Sequence, residues 1–86
     1  MMITVRCYGH IETSVGSKEI TIDAEDIDAS EIVERVRSLS SEPEPGFTRY
    51  NTLVMLDDGE AFVPAGARKK IKGGERVALI PFSHGG

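Results

Sequence analysis

Lys72-Gly73-Gly74-Glu75-Arg76-Val77-Ala78-Leu79-Ile80-Pro81-Phe82 reads as a turn that opens a strand, and the strand carries apolar side chains on both faces. Successive side chains of a strand alternate, so Val77 and Leu79 fall on one side and Ala78, Ile80 and Phe82 on the other. A single helix can cover only one face of a sheet. Val77 and Leu79 are therefore assigned to the core. Ile80, Pro81 and Phe82, with Val54 or Leu56 from a neighbouring strand, are expected to form an exposed docking patch beside the last four residues. The alternative is that the segment 42–51 folds over that face with Phe47 and Tyr50.

Working back along the chain, Ile3, Val5 and Cys7 alternate with Thr4, Arg6 and Tyr8, which predicts a half-buried strand over about residues 2–8. Glu19 to Asp23 alternates in the same way, and Gly9, Ser14, Gly16 and Ser17 between the two read as a long hairpin loop. Asp28-Ala29-Ser30-Glu31 has the spacing of a capping box, with Ile27 and Ile32 placed as a staple. Ile32, Val33, Val36 and Leu39 then share one face of a helix over about 29–41, closed by Pro43 and Pro45. Thr52 to Leu56 reads as a central strand ended by Asp57-Asp58-Gly59, and Phe62-Val63 as a short one. Two strands, one helix and two or three further strands need a mixed sheet with the helix packed on one side. The economical solution is an α+β single-domain β-grasp (ubiquitin-like) fold, with a mixed four- to five-stranded sheet and one main helix over residues 1–82. Residues 83–86 are expected to be a flexible diglycine tail.

The 86 residues suffice for one hydrophobic core. Apolar residues make up 40% and charged residues 28%, which is ordinary globular usage and excludes a disordered or fibrous chain. A formal net charge of −4 argues against nucleic acid as a general partner, because neutralising phosphates needs a basic surface. No apolar run is long enough to span a bilayer. The single cysteine, Cys7, forms no internal disulfide, in keeping with a reducing, cytoplasmic setting.

The element order, the segment Lys72 to Pro81 and the terminal Gly85-Gly86 together resemble the MoaD/ThiS family of ubiquitin-like sulfur carriers, including the small archaeal modifier proteins. Gly74-Glu75, Val77 to Pro81 and Gly85-Gly86 match the family's turn, strand and diglycine in turn, and the chain length and long loop after the helix favour the MoaD and modifier branch. Phe82 stands where a second proline is common, and His84 where a small residue is common. The resemblance implies a non-enzymatic carrier. A MoeB/ThiF-like, ATP-dependent activating enzyme would adenylate Gly86, using its own ATP and magnesium, and the adenylate would become a thiocarboxylate. Its sulfur would pass to an acceptor such as a MoaE-like subunit in molybdopterin biosynthesis, or Gly86 would be joined to target-protein lysines.

That chemistry suits the tail. A carboxylate is a poor acyl donor until it gains a leaving group, and joining it to AMP supplies one. Glycine at both final positions removes Cβ and lets the chain enter a narrow channel. Four residue steps from Phe82 to Gly86 reach roughly 13–14 Å when extended. Ser83, His84 and Gly85 are thus the tail, and Gly86 the attachment point.

Other constellations offer less. Cys7, His10 and His84 are the soft metal ligands but lack the paired spacing of a zinc site. Ser83-His84 has no oriented acid to make a hydrolytic unit. Arg68, Lys69, Lys70 and Lys72 form a basic cluster around a turn, which reads first as solvated charge and second as a recognition surface. Gly73-Gly74-Glu75 opens a strand rather than a helix and is not a phosphate loop. No bound cofactor, metal or catalytic residue is expected. Three readings stay open: sulfur carrier, protein modifier, and a β-grasp module that binds a partner noncovalently.

Overall fold

The structure is a computed structural model that describes residues 1–82. Strand β1, Met2–Cys7, buries Ile3, Val5 and Cys7 as the alternation requires. The chain then forms a helix, α1, over Gly9–Val15, where a loop was expected. Gly16 is not loop punctuation but the stop of this helix. It takes the left-handed conformation (φ +83°) and returns its N–H to the Glu12 carbonyl at 2.8 Å, as a glycine C-cap does. Ile11, with Val15 one turn on, faces the core, the i, i+4 spacing that seats a short helix on a sheet.

After β2 (Glu19–Asp23) and β3 (Asp26–Asp28) comes the main helix, α2, over Ala29–Ser38. Ala29, Ile32, Val33 and Val36 are buried, one helical stripe. Two expectations need correction here. Asp28 is the N-cap, with the extended backbone usual there and a pairing with Lys70, but its side chain makes no cap bond. Leu39 is not on the buried face: the helix ends before it and it is 54% exposed. Strand β4 (Thr52–Leu56), strand β5 (Ala61–Phe62), a 3-10 turn (Pro64–Gly66), β6 (Lys70–Lys72) and β7 (Arg76–Pro81) complete the chain. Strand β5 thus begins and ends one residue earlier than the expected Phe62-Val63.

The sheet order is β2-β1-β7-β4-β5, with β3 and β6 forming a separate two-stranded ladder. Strand β7 lies at the centre, parallel to β1 and antiparallel to β4. The sheet is therefore mixed and five-stranded, covered on one side by α1 and α2. The core joins Ile3, Val5, Val54 and Leu79 of the sheet to Ile32 and Val36 of α2. The loop after α2 closes this same side. Phe47 is fully buried in the core, its carbonyl accepting from Arg37 Nε at 2.8 Å. Tyr50 lines a groove with Asp28 and Ser30 at the start of α2. Neither aromatic covers the opposite face of the sheet.

Candidate docking face and tail root

Strand register decides which side chains share the uncovered face. Ile80 stands opposite Leu53, and Ala78 opposite both Met55 and, on the other side, Arg6. Cross-strand partners project to the same side. The open face therefore carries an apolar strip of Leu53, Met55, Ala78 and Ile80, of which Met55 is 36% exposed and the other three are half-buried. Val77 and Leu79 point the other way into the core, as expected.

Three docking assignments require correction. Val54 pairs with Leu79 and is 0% exposed, so it belongs to the core. Leu56 pairs with Val77 and packs against the same core. Pro81 shares the face of Leu79 and meets α1. A Cβ on Gly9 would stand 3.0 Å from Pro81 Cγ, and Gly9 has φ +56°, so only glycine fits there without strain. Ile80 keeps its place on the open face, and Phe82 follows the strand half-buried. Leu53 and Met55 were missed because every position from 53 to 56 is apolar; the alternation groups them as a pair but does not say which pair faces inward.

The end of β7 is pinned on both flanks. The Tyr8 N–H donates to the Leu79 carbonyl at 3.1 Å, and the Phe82 N–H donates to the Asn51 carbonyl at 3.0 Å. Asn51 is itself fixed, its Oδ1 accepting from Thr48 N at 2.6 Å and its Nδ2 donating to the Gly46 carbonyl at 3.1 Å. The chain is thus held through Phe82. Ser83, His84, Gly85 and Gly86 lie outside the described residues.

A groove of about 320 Å³ runs along the open face between Arg6, Tyr8, Arg76, Met55 and Asp57. The Arg6 guanidinium lies over the Tyr8 ring, 5.6 Å from its centroid. The other chemistry-bearing groups stand apart. Cys7 is buried in the core, and burial, with a smaller contribution from the Glu12 charge, pushes its thiol up to about 11. That is the opposite of what a nucleophile or metal ligand needs. His10 is exposed on α1, its ring centroid 6.4 Å from that of Phe47. In the basic cluster, Lys70 and Lys72 are exposed either side of buried Ile71, and Lys69 pairs with Glu60 at 3.1 Å. Among the described residues, no three His, Cys, Asp or Glu side chains gather as a metal site, and no helix is long and apolar enough to cross a membrane.

Among solved structures, the chain superposes on SAMP1 from Haloferax volcanii with a TM-score of 0.69, over 100% of both chains at 16% identity. It superposes on a second structure, of the H. volcanii small archaeal modifier protein 1, at 0.67, over 95% of this chain and 98% of that one at 12% identity. A protein assigned as molybdopterin converting factor, subunit 1, from Pyrococcus furiosus gives 0.66, over 96% and 99% at 13% identity. This is a ubiquitin-like β-grasp fold. No family model matches the chain, and no curated protein matches it in sequence. The ubiquitin-like body accounts for the central placing of β7, which leads from the middle of the sheet toward residues 83–86.

Proposed function

We propose that this protein is a ubiquitin-like sulfur carrier of the MoaD kind, working in the cytoplasm through the carboxylate of Gly86. Residues 83–86 act as its tail. The observation that carries the reading is the pinned end of β7: the chain is fixed through Phe82 beside an uncovered apolar strip, and Ser83-His84-Gly85-Gly86 follows. A rigid body that docks by a face and offers a narrow end is what delivery of a terminal carboxylate requires. Likeness to the molybdopterin converting factor assignment supports the same reading.

In the proposed reaction, the Gly86 carboxylate displaces pyrophosphate from ATP in the site of a MoeB/ThiF-like enzyme, giving an acyl-adenylate. A sulfur nucleophile then displaces AMP, and the thiocarboxylate goes to an acceptor such as a MoaE-like subunit. ATP and magnesium belong to the enzyme; the carrier contributes recognition and its end. A second reading, conjugation of Gly86 to lysines of other proteins, is favoured by the likeness to small archaeal modifier proteins. The same activated tail serves both.

The test is intact mass of tag-free protein incubated with its host's soluble extract, ATP and a sulfur source, beside a version lacking Gly86. An oxygen-to-sulfur mass change confined to the full-length form is expected. Acceptor lysines of other proteins carrying the segment 77–86, the branch that trypsin leaves after Arg76, would move the assignment to the modifier. If neither appears in an extract that activates a known carrier, the covalent reading fails and a noncovalent β-grasp binding module replaces it.

A further inference from the structure

The open face carries charge in an arrangement that its own strands leave unsatisfied. Arg6 on β1 is level with Ala78 on β7, so Arg76, two residues earlier on β7, sits on the next diagonal of the same face. Like charges on neighbouring positions of a sheet repel. Each side chain is exposed, and among the described residues neither makes an ion pair within 4.0 Å. A carboxylate is at hand, since Glu19 is the cross-strand partner of Arg6. The Arg6 guanidinium nevertheless lies along its own strand against Tyr8. Asp57, on the rim of the groove, also stands outside ion-pair distance. A guanidinium stacked on a ring keeps its N–H edge free for a planar, bidentate acceptor. Arg6, stacked in this way, and the exposed Arg76 thus both line the groove in a chain whose net charge is −4. Beside them Met55, Ala78 and Ile80 supply an apolar surface.

We propose that the open face docks a protein surface that sets carboxylate side chains against Arg6 and Arg76 while covering the apolar strip of Met55, Ala78 and Ile80. The proposal rests on the carrier reading, and names the chemistry of the partner that face must meet. The strip supplies buried area, and the arginine pair supplies orientation and rate of encounter, the usual division between apolar centre and charged rim.

The experiment is a competition in one host extract with ATP and a sulfur source. Isotopically heavy wild type is mixed with an equal amount of light Arg6→Glu/Arg76→Glu protein, and modification of each at Gly86 is read by intact mass. A charge-matched control, Arg35→Glu/Arg49→Glu, places the same reversal on exposed arginines away from the open face. The open-face reversal is expected to be modified about tenfold more slowly at roughly 50 mM salt, narrowing toward roughly 0.5 M, as screened charge pairs do. The control should stay within about twofold of wild type. Thermal melts confirm that both variants fold. Equal modification of wild type and open-face reversal overturns the arginine assignment and leaves the carrier reading intact. Absence of modification in every form overturns both. Sedimentation equilibrium supplies the remaining outcome: a wild-type dimer that the reversal dissolves makes a second copy the occupant, and overturns the partner named here.

Discussion

The two faces of β7 are built from nearly the same side chains and end in opposite surroundings. Val77 and Leu79 are 4% and 0% exposed beneath the helices, whereas Ala78 and Ile80 keep part of their surface in water. Hydrophobicity alone does not separate them. What does is the side on which α1, α2 and Phe47 pack, and those elements leave one face of the sheet uncovered. The outcome is one buried face and one that keeps Leu53, Met55, Ala78 and Ile80 partly in water.

The comparison can be broken most sharply at Leu79. Leu79→Ala is expected to lose about 3 kcal/mol of stability by cavity formation, whereas Ile80→Ala on the other face should lose about 1 kcal/mol, in proportion to its smaller buried area. Urea unfolding of the two variants measures the difference; equal losses would mean that the open face is packed like the core. Gly9→Ala should cost about 1–2 kcal/mol, from positive φ and contact with Pro81, read as a lower thermal midpoint. A gain is expected at Thr52. Its Oγ1 is buried with no hydrogen-bond partner among the described residues, so Thr52→Val should stabilise by about 1 kcal/mol. The smallest effect belongs to Asp28→Ala. A bonded N-cap is worth about 1 kcal/mol, but Asp28 lacks the bond and retains only its charge near the helix start, so about 0.3 kcal/mol is expected. A loss near 1 kcal/mol in urea would show that a cap bond forms in solution.

Much of the fold was legible because its elements carry strong periodicity. Ile3, Val5 and Cys7, the stripe Ile32, Val33 and Val36, and Val77 with Leu79 all lie where alternation or helical spacing places them. Helix α1 was not legible in the same way, since seven residues give it barely two turns, and Gly9, Ser14 and Gly16 are as common in loops as in caps. The pair Ile11 and Val15 was the available signal. At the candidate site, Ile80 was readable from β7 alone, but its neighbours were not. Naming Leu53 and Met55 rather than Val54 and Leu56 requires the register of β4 on β7, and register is a long-range property that a short apolar run does not encode. The arginine pair was hidden for the same reason: 70 positions apart in sequence, Arg6 and Arg76 become neighbours through the parallel pairing of β1 with β7.

That central parallel pairing also governs when the protein can exist during its own synthesis. Strand β7 is the last strand of the described residues, yet it occupies the middle of the sheet, between β1 and β4. Until it has left the ribosome, β1 and β4 have no common neighbour and the helices have only half a sheet to rest on. Native structure of this domain therefore waits for β7, unlike domains whose early segments fold first. A nascent chain interrupted before β7 lacks the middle of its sheet and, with it, the open face that Ala78 and Ile80 help to build.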